Sequence, residues 1–179
     1  RSAQDRVLKA NAGSGVPCTG VSIFAGGISN SNAINAGQAG IEAVTCGGAQ
    51  GSTFPGCVVN TGTITSTAGD GVTVTGFGPA NRMVTFGGGV ANTGTINGNT
   101  NDINVQFVSN FSGGISNTGF IGVSSSAGPA NLGINVEGIS TFSGGINNGG
   151  TISALGAFGS GIFVGSLAGV GHSLATFPA

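Results

Sequence analysis

The chain has 179 residues, of which 38 are Gly and only 5% are charged, with a formal net charge of −1. One ordinary domain fits that length. The basic residues are Arg1, Arg6, Lys9 and Arg82, too sparse a footprint to neutralise a run of phosphates, so the composition argues against nucleic acid as a partner.

Low charge with abundant Gly also occurs in disordered chains, but those are poor in β-branched residues. Here Ile and Val recur at fixed phases. No apolar run approaches the roughly 18 residues of a membrane span, and no signal peptide stands at Arg1. The chain begins and ends inside repeats, so an excerpt of a longer polypeptide, or its ordered part, is expected.

Residues 1–19 read as a lead-in segment or partial coil, and residues 20–179 as repeats. The repeat is Phe-x-Gly-x-(Ile/Val)-x-Asn-x-x-x-Ile. It appears as FAGGISNSNAI from Phe24, FPGCVVNTGTI from Phe54, FGGGVANTGTI from Phe86, FSGGISNTGFI from Phe111 and FSGGINNGGTI from Phe142, with a truncated copy at Phe177. Successive Phe residues are 30, 32, 25, 31 and 35 residues apart. Repeats of this length bury their apolar edges by stacking on one another. The expected fold is all-β, a parallel β-helix of about five coils, one coil per repeat. Helix is excluded because each interior Gly costs about 1 kcal/mol and no 3.6-residue period is sustained.

Each step contains a second strand: GIEAV from Gly40, GVTV from Gly71, DINV from Asp102, GINV from Gly133 and GIFV from Gly161. A period of two points Ile41 with Ala43, Val72 with Val74, Ile103 with Val105, Ile134 with Val136 and Ile162 with Val164 inward. Thr73, Asn104, Asn135 and Phe163 are then expected to face outward. The spacings between strands vary while the strand cores do not, which places the insertions in loops.

The seventh pattern position is always Asn: Asn30, Asn60, Asn92, Asn117 and Asn148. Asn tolerates left-handed backbone, and Gly62, Gly94 and Gly119 follow two residues later, so a tight corner is expected there, with Gly supplying positive φ. Stacked copies can also bond amide to amide as a ladder. A ligand-binding row of Asn is the functional alternative. Phe24, Phe54, Phe86, Phe111, Phe142 and Phe177 are expected to stack along the axis, buried beside the Ile column, or else to form an exposed adhesive stripe. Phe120, Phe158 and Phe163 lie off that row, and Phe163 is expected to be exposed.

Cys18, Cys46 and Cys57 have no zinc spacing, and His172 is distant. A disulfide of Cys46 with Cys18 or with Cys57 is one expectation, three free thiols the other. The acids are Asp5, Glu42, Asp70, Asp102 and Glu137. Asp70 and Asp102 lie near the start of the second strand in neighbouring coils and could approach as the carboxylate pair of a glycoside hydrolase. Turn capping through local hydrogen bonds is the plainer role. AGDGVTV at Ala68 is a single imperfect match to calcium-binding nonapeptides. No nucleophile elbow occurs. No catalytic residue, cofactor or metal is expected.

GGISNTG from Gly113, VNTGTI from Val59, ANTGTI from Ala91 and FSGGINNGGTI from Phe142 resemble the β-helical passenger repeats of bacterial autotransporters, the type V secretion proteins. The resemblance covers about residues 20–179. It implies a right-handed parallel β-helix, export across the envelope and a role outside the cell or at the bacterial surface. That family's C-terminal barrel has no counterpart in this chain. The expected function is an extracellular structural or adhesive β-solenoid, a passenger stalk or a subunit of a surface filament. Its partners would be other copies, packed end to end or laterally, or host and abiotic surfaces. A polysaccharide-active β-helix is one alternative. An ice-binding solenoid, prompted by TGTITST from Thr61 and TVT from Thr73, is another.

Overall fold

The computed structural model describes residues 25–44, 53–76, 83–122, 131–155 and 159–165. Every regular element is a short strand. The first coil carries β1 (Ile28–Asn30), β2 (Ala33–Ala36) and β3 (Ile41–Val44). The second carries β4 (Thr53–Phe54), β5 (Val58–Asn60), β6 (Thr63–Ser66) and β7 (Val72–Thr75). The third carries β8 (Met83–Phe86), β9 (Val90–Asn92), β10 (Thr95–Asn97) and β11 (Asn101–Gln106). The fourth carries β12 (Val108–Phe111), β13 (Ile115–Asn117), β14 (Phe120–Gly122) and β15 (Leu132–Glu137). The last carries β16 (Thr141–Phe142), β17 (Ile146–Asn148), β18 (Thr151–Ser153) and β19 (Ser160–Gly165).

Like strands of successive coils pair in parallel, forming four sheets along one axis. They are β1-β5-β9-β13-β17, β18-β14-β10-β6-β2, β19-β15-β11-β7-β3 and β16-β12-β8-β4. We call them the Asn, Thr, Val and Phe sheets after their recurrent residues. This is a parallel β-solenoid of about four turns, slightly fewer than the five expected. Phe24 falls outside the described residues. The repeat also builds four strands per coil, because its Phe, Gly-x-Ile-x-Asn and x-Ile portions form three separate strands.

Pairing keeps like with like: Ile28↔Val58, Val58↔Val90, Ile115↔Val90 and Ile115↔Ile146 run in register along the Asn sheet. The core comprises these residues with the Ile column of the Thr sheet, the Ile/Val pairs of the Val sheet and the Phe column. Each β-branched side chain packs on its counterpart in the next coil, about 4.8 Å away. Ile162 keeps the inward register, opposite Ile134, yet is 45% exposed.

The corner after the Asn sheet is two residues long, as expected, but Gly is needed there for a different reason. None of Gly62, Gly94 and Gly119 has positive φ. A Cβ on Gly94 would lie 2.0 Å from the carbonyl oxygen of Gly62 in the preceding coil. Backbone proximity between coils, not handedness, excludes a side chain. Left-handed backbone falls instead at Gly89, Gly114 and Gly145, just before the Asn sheet, and at Gly138 and Phe107. Phe107 aligns with Gly76 and Gly138, so one coil places an aromatic residue where its neighbours have Gly.

Candidate functional site

The five Asn side chains form one continuous hydrogen-bonded file. Asn30 Nδ2 donates to Asn60 Oδ1 at 2.7 Å, Asn60 to Asn92 at 2.8 Å, Asn92 to Asn117 at 2.8 Å and Asn117 to Asn148 at 2.7 Å. Each Nδ2 also reaches the carbonyl two residues on, from Asn32 O at 2.9 Å to Gly119 O at 3.4 Å. Asn30, Asn60, Asn92 and Asn117 are buried, whereas Asn148 is exposed. The ladder therefore satisfies the corner carbonyls from inside and leaves no row of amides for a ligand.

The Phe residues form a second file. Ring centroids of Phe54 and Phe86 are 5.3 Å apart, of Phe86 and Phe111 5.0 Å, and of Phe111 and Phe142 4.9 Å, with interplanar angles of 13°, 12° and 10°. All four rings are buried, so this row is core, not an adhesive stripe. Phe24 and Phe177 lie outside the described residues, as do Phe158, Cys18, Cys46 and His172. Cys57 is exposed and its thiol is free.

Asp70 is held by four donors. Asn101 N and Nδ2 reach Oδ1 at 3.0 and 2.9 Å; Thr73 Oγ1 and Asn104 Nδ2 reach Oδ2 at 2.9 and 2.7 Å. Asn135 Nδ2 donates in turn to Asn104 Oδ1 at 3.1 Å. This chain crosses the outer face of the Val sheet, where the alternation places these residues, and they are covered there. Thr73, Asn104 and Asn135 are buried, because counterparts above and below cover them and their polar atoms bond along the row. The recurrence of Asn in DINV and GINV was the signal for this second file.

Asp102 is 0% exposed. Its Oδ1 accepts from Gly98 N at 2.5 Å, and Oδ2 has no partner. Burial pushes its pKa up to about 8; the Gly98 hydrogen bond opposes this and the charge of Asp70 adds to it. Glu42 is also raised, first by burial and then by Asp70. Asp70 and Asp102 are thus close enough to interact. Asp70 is held by its four donors and Asp102 is sealed from solvent. Both tie down turns.

The Thr sheet has an uncharged outer face. Thr63, Thr95 and Thr151 share one row with Ala33 and Phe120. Thr65, Asn97 and Ser153 share the other with Asn35 and Gly122. Within the Thr sheet the Thr-x-Thr array that ice binding would use is complete only in β6, and the Thr73-x-Thr75 copy lies on the Val sheet. Phe120 is 40% exposed on this face and Phe163 is 39% exposed on the Val sheet; the exposure of Phe163 was legible in the sequence, that of Phe120 was not.

No family model matches the chain, and no curated protein or solved structure matches it. Among the described residues, no helix is long and apolar enough to cross a membrane.

Proposed function

We propose that this chain is a structural and adhesive β-solenoid working outside the cell, as a passenger-type stalk segment or, where copies join end to end, as the subunit of a surface filament. The observation that carries the reading is the unbroken stacking of every sheet, with amide and aromatic files running through all the coils they reach. A stack of this kind suits load-bearing, because each coil is held to the next by backbone bonds, side-chain bonds and apolar contact together. The repeat texture shared with autotransporter passengers supports export and a place at the bacterial surface. In this reading the rod acts through its surface and not by catalysis.

Negative-stain electron microscopy at several concentrations tests the proposal. Short separate rods fit a stalk, and long unbranched fibres fit a filament subunit. Globular particles would overturn both. Fractionation of the source cells tests the setting, and recovery wholly in the cytoplasm would refute it.

A further inference from the structure

We propose that the outer face of the Thr sheet binds a neutral polysaccharide, with Phe120 as the stacking platform. The ring of Phe120 leans along its own strand. A Cβ added at Gly122 would lie 2.4 and 2.5 Å from Phe120 Cε1 and Cζ, so the ring occupies the space that a side chain at 122 would fill. Gly122 is buried while Phe120 remains 40% exposed. The aromatic group is therefore propped on the sheet and shown to solvent, not folded into the core.

Hydrogen-bonding groups surround it on both sides. Thr95 and Thr151 flank Phe120 in register, and Asn97 and Ser153 lie across from Gly122. The repeat sets these neighbours about 4.8 Å apart along the axis and about 7 Å apart along a strand. None of the four side chains makes a hydrogen bond to another described residue, whereas the polar groups on the Val sheet are bonded to one another. The Thr sheet thus offers unengaged hydroxyls and an amide around one apolar ring, on strands with no charged residue.

That combination selects the ligand class. A neutral face gives nothing to an anionic polymer or a phosphate, which need cationic partners. A sugar ring offers an apolar C–H face to an aromatic side chain and hydroxyls at its edge. Recognition sites commonly combine an apolar surface with a few placed polar groups. β14, which carries Phe120, is paired on both sides, with β10 and with β18, so the ring sits on a preorganised strand. The glucan would lie along the solenoid axis, crossing Thr95, Phe120 and Thr151 in turn. The inference names a ligand for the adhesive role proposed above and takes only its biological setting from that reading. Binding is measured on the isolated chain, and assembly is measured by microscopy, so either can fail alone.

The test is titration calorimetry of the full chain with cellohexaose, laminarihexaose and a heparin hexasaccharide. The expected result is saturable binding of at least one neutral hexasaccharide and none of heparin. Phe120→Ala should weaken that binding about tenfold, the order of one aromatic contact, and Phe120→Trp should retain it. Phe163→Ala, which removes the exposed ring of the Val sheet, should change nothing. Circular dichroism establishes that each variant folds, and if Phe120→Ala does not, Thr95→Val with Thr151→Val replaces it as the weakening variant. Absence of binding to both neutral hexasaccharides, preference for heparin, or equal loss in the Phe163 variant would overturn the proposal.

Discussion

The backbone N–H of Gly98 donates to Asp102 Oδ1 at 2.5 Å, and these two residues exchange the parts played by Ser66 and Gly71 one coil earlier. There Ser66 Oγ takes the corner bond from Gly69 N at 3.1 Å, and Gly71 leaves room, since a Cβ on it would strike Ile96 Cγ2 at 2.3 Å. In the third coil the side chain comes from the far side of the corner and the Gly from the near side. The exchange keeps the corner filled but seals a carboxyl inside it.

That carboxyl makes stability depend on pH. Its pKa in the folded chain, about 8, lies above the ordinary 3.8. The folded state therefore holds the proton more tightly than the unfolded state, and stability falls as pH rises from about 4 to about 8. Asp70 is the charged group beside it, with Glu42 across Asp70 and shifted in the same direction. Asp102→Asn should flatten most of this decline and raise stability at pH 9 by on the order of a few kcal/mol, with a higher melting temperature there. Melting curves from pH 4 to 9 check it; parallel profiles for the two proteins would assign the effect elsewhere.

Asn92 bonds both ways in the ladder. Asn92→Ala would leave Asn60 Nδ2 without one acceptor and Asn117 Oδ1 without its donor, both buried. A cost of about 2–4 kcal/mol is expected. Asn148→Ala, at the exposed end, removes from the file only the acceptor of Asn117 Nδ2 and should cost about 1 kcal/mol. Urea unfolding of the pair measures the difference, and equal costs would mean that the file contributes little.

Ile115 is buried and Ser116 is exposed. Ile115→Asp would bury an unpaired charge in the middle of the stack and should abolish cooperative unfolding. Ser116→Asp should shift stability by less than about 0.5 kcal/mol. Far-ultraviolet circular dichroism of the two variants decides it, because equal tolerance would place the strand one residue out of register.

Gly94→Ala drives a methyl group into the carbonyl of Gly62, whereas an added Cβ at Gly37 meets nothing within 4 Å. The first substitution should cost more than about 3 kcal/mol, and the second should be neutral or gain up to about 1 kcal/mol. Thermal melts of both would show whether coil spacing, and not glycine content in general, governs tolerance.

The solenoid was legible because Phe, Ile and Asn recur in phase, and recurrence in a stack is contact. The ladder and the aromatic file follow directly from that rule. On the outer face of the Val sheet the side was legible and the burial was not, because alternation tells which side a residue takes, not whether its neighbours cover it. Asn104 and Asn135 face away from the core and are buried all the same. The corner glycines were assigned to backbone handedness, when the distance between coils was what mattered. Asp102 gave no signal as a buried acid, being one departure from a column of Gly. Phe120 was unreadable for a similar reason: it breaks a Thr row, and a broken row does not say where the new side chain lies.

The amides of the ladder all donate toward the later coil, from Asn30 through Asn117. Backbone bonds between coils run both ways: Val58 N donates forward to Gly89 O, and Thr61 N donates back to Asn30 O. The backbone dipoles thus largely cancel, while those of the side chains add. The rod carries an internal arrow, electropositive toward Asn148 and electronegative toward Asn30, each amide polarising the next. A coil arriving at the Asn148 end completes the file with a carbonyl oxygen and meets N–H against N–H if inverted. In the filament proposed above, the direction of growth would follow from this single column of side chains.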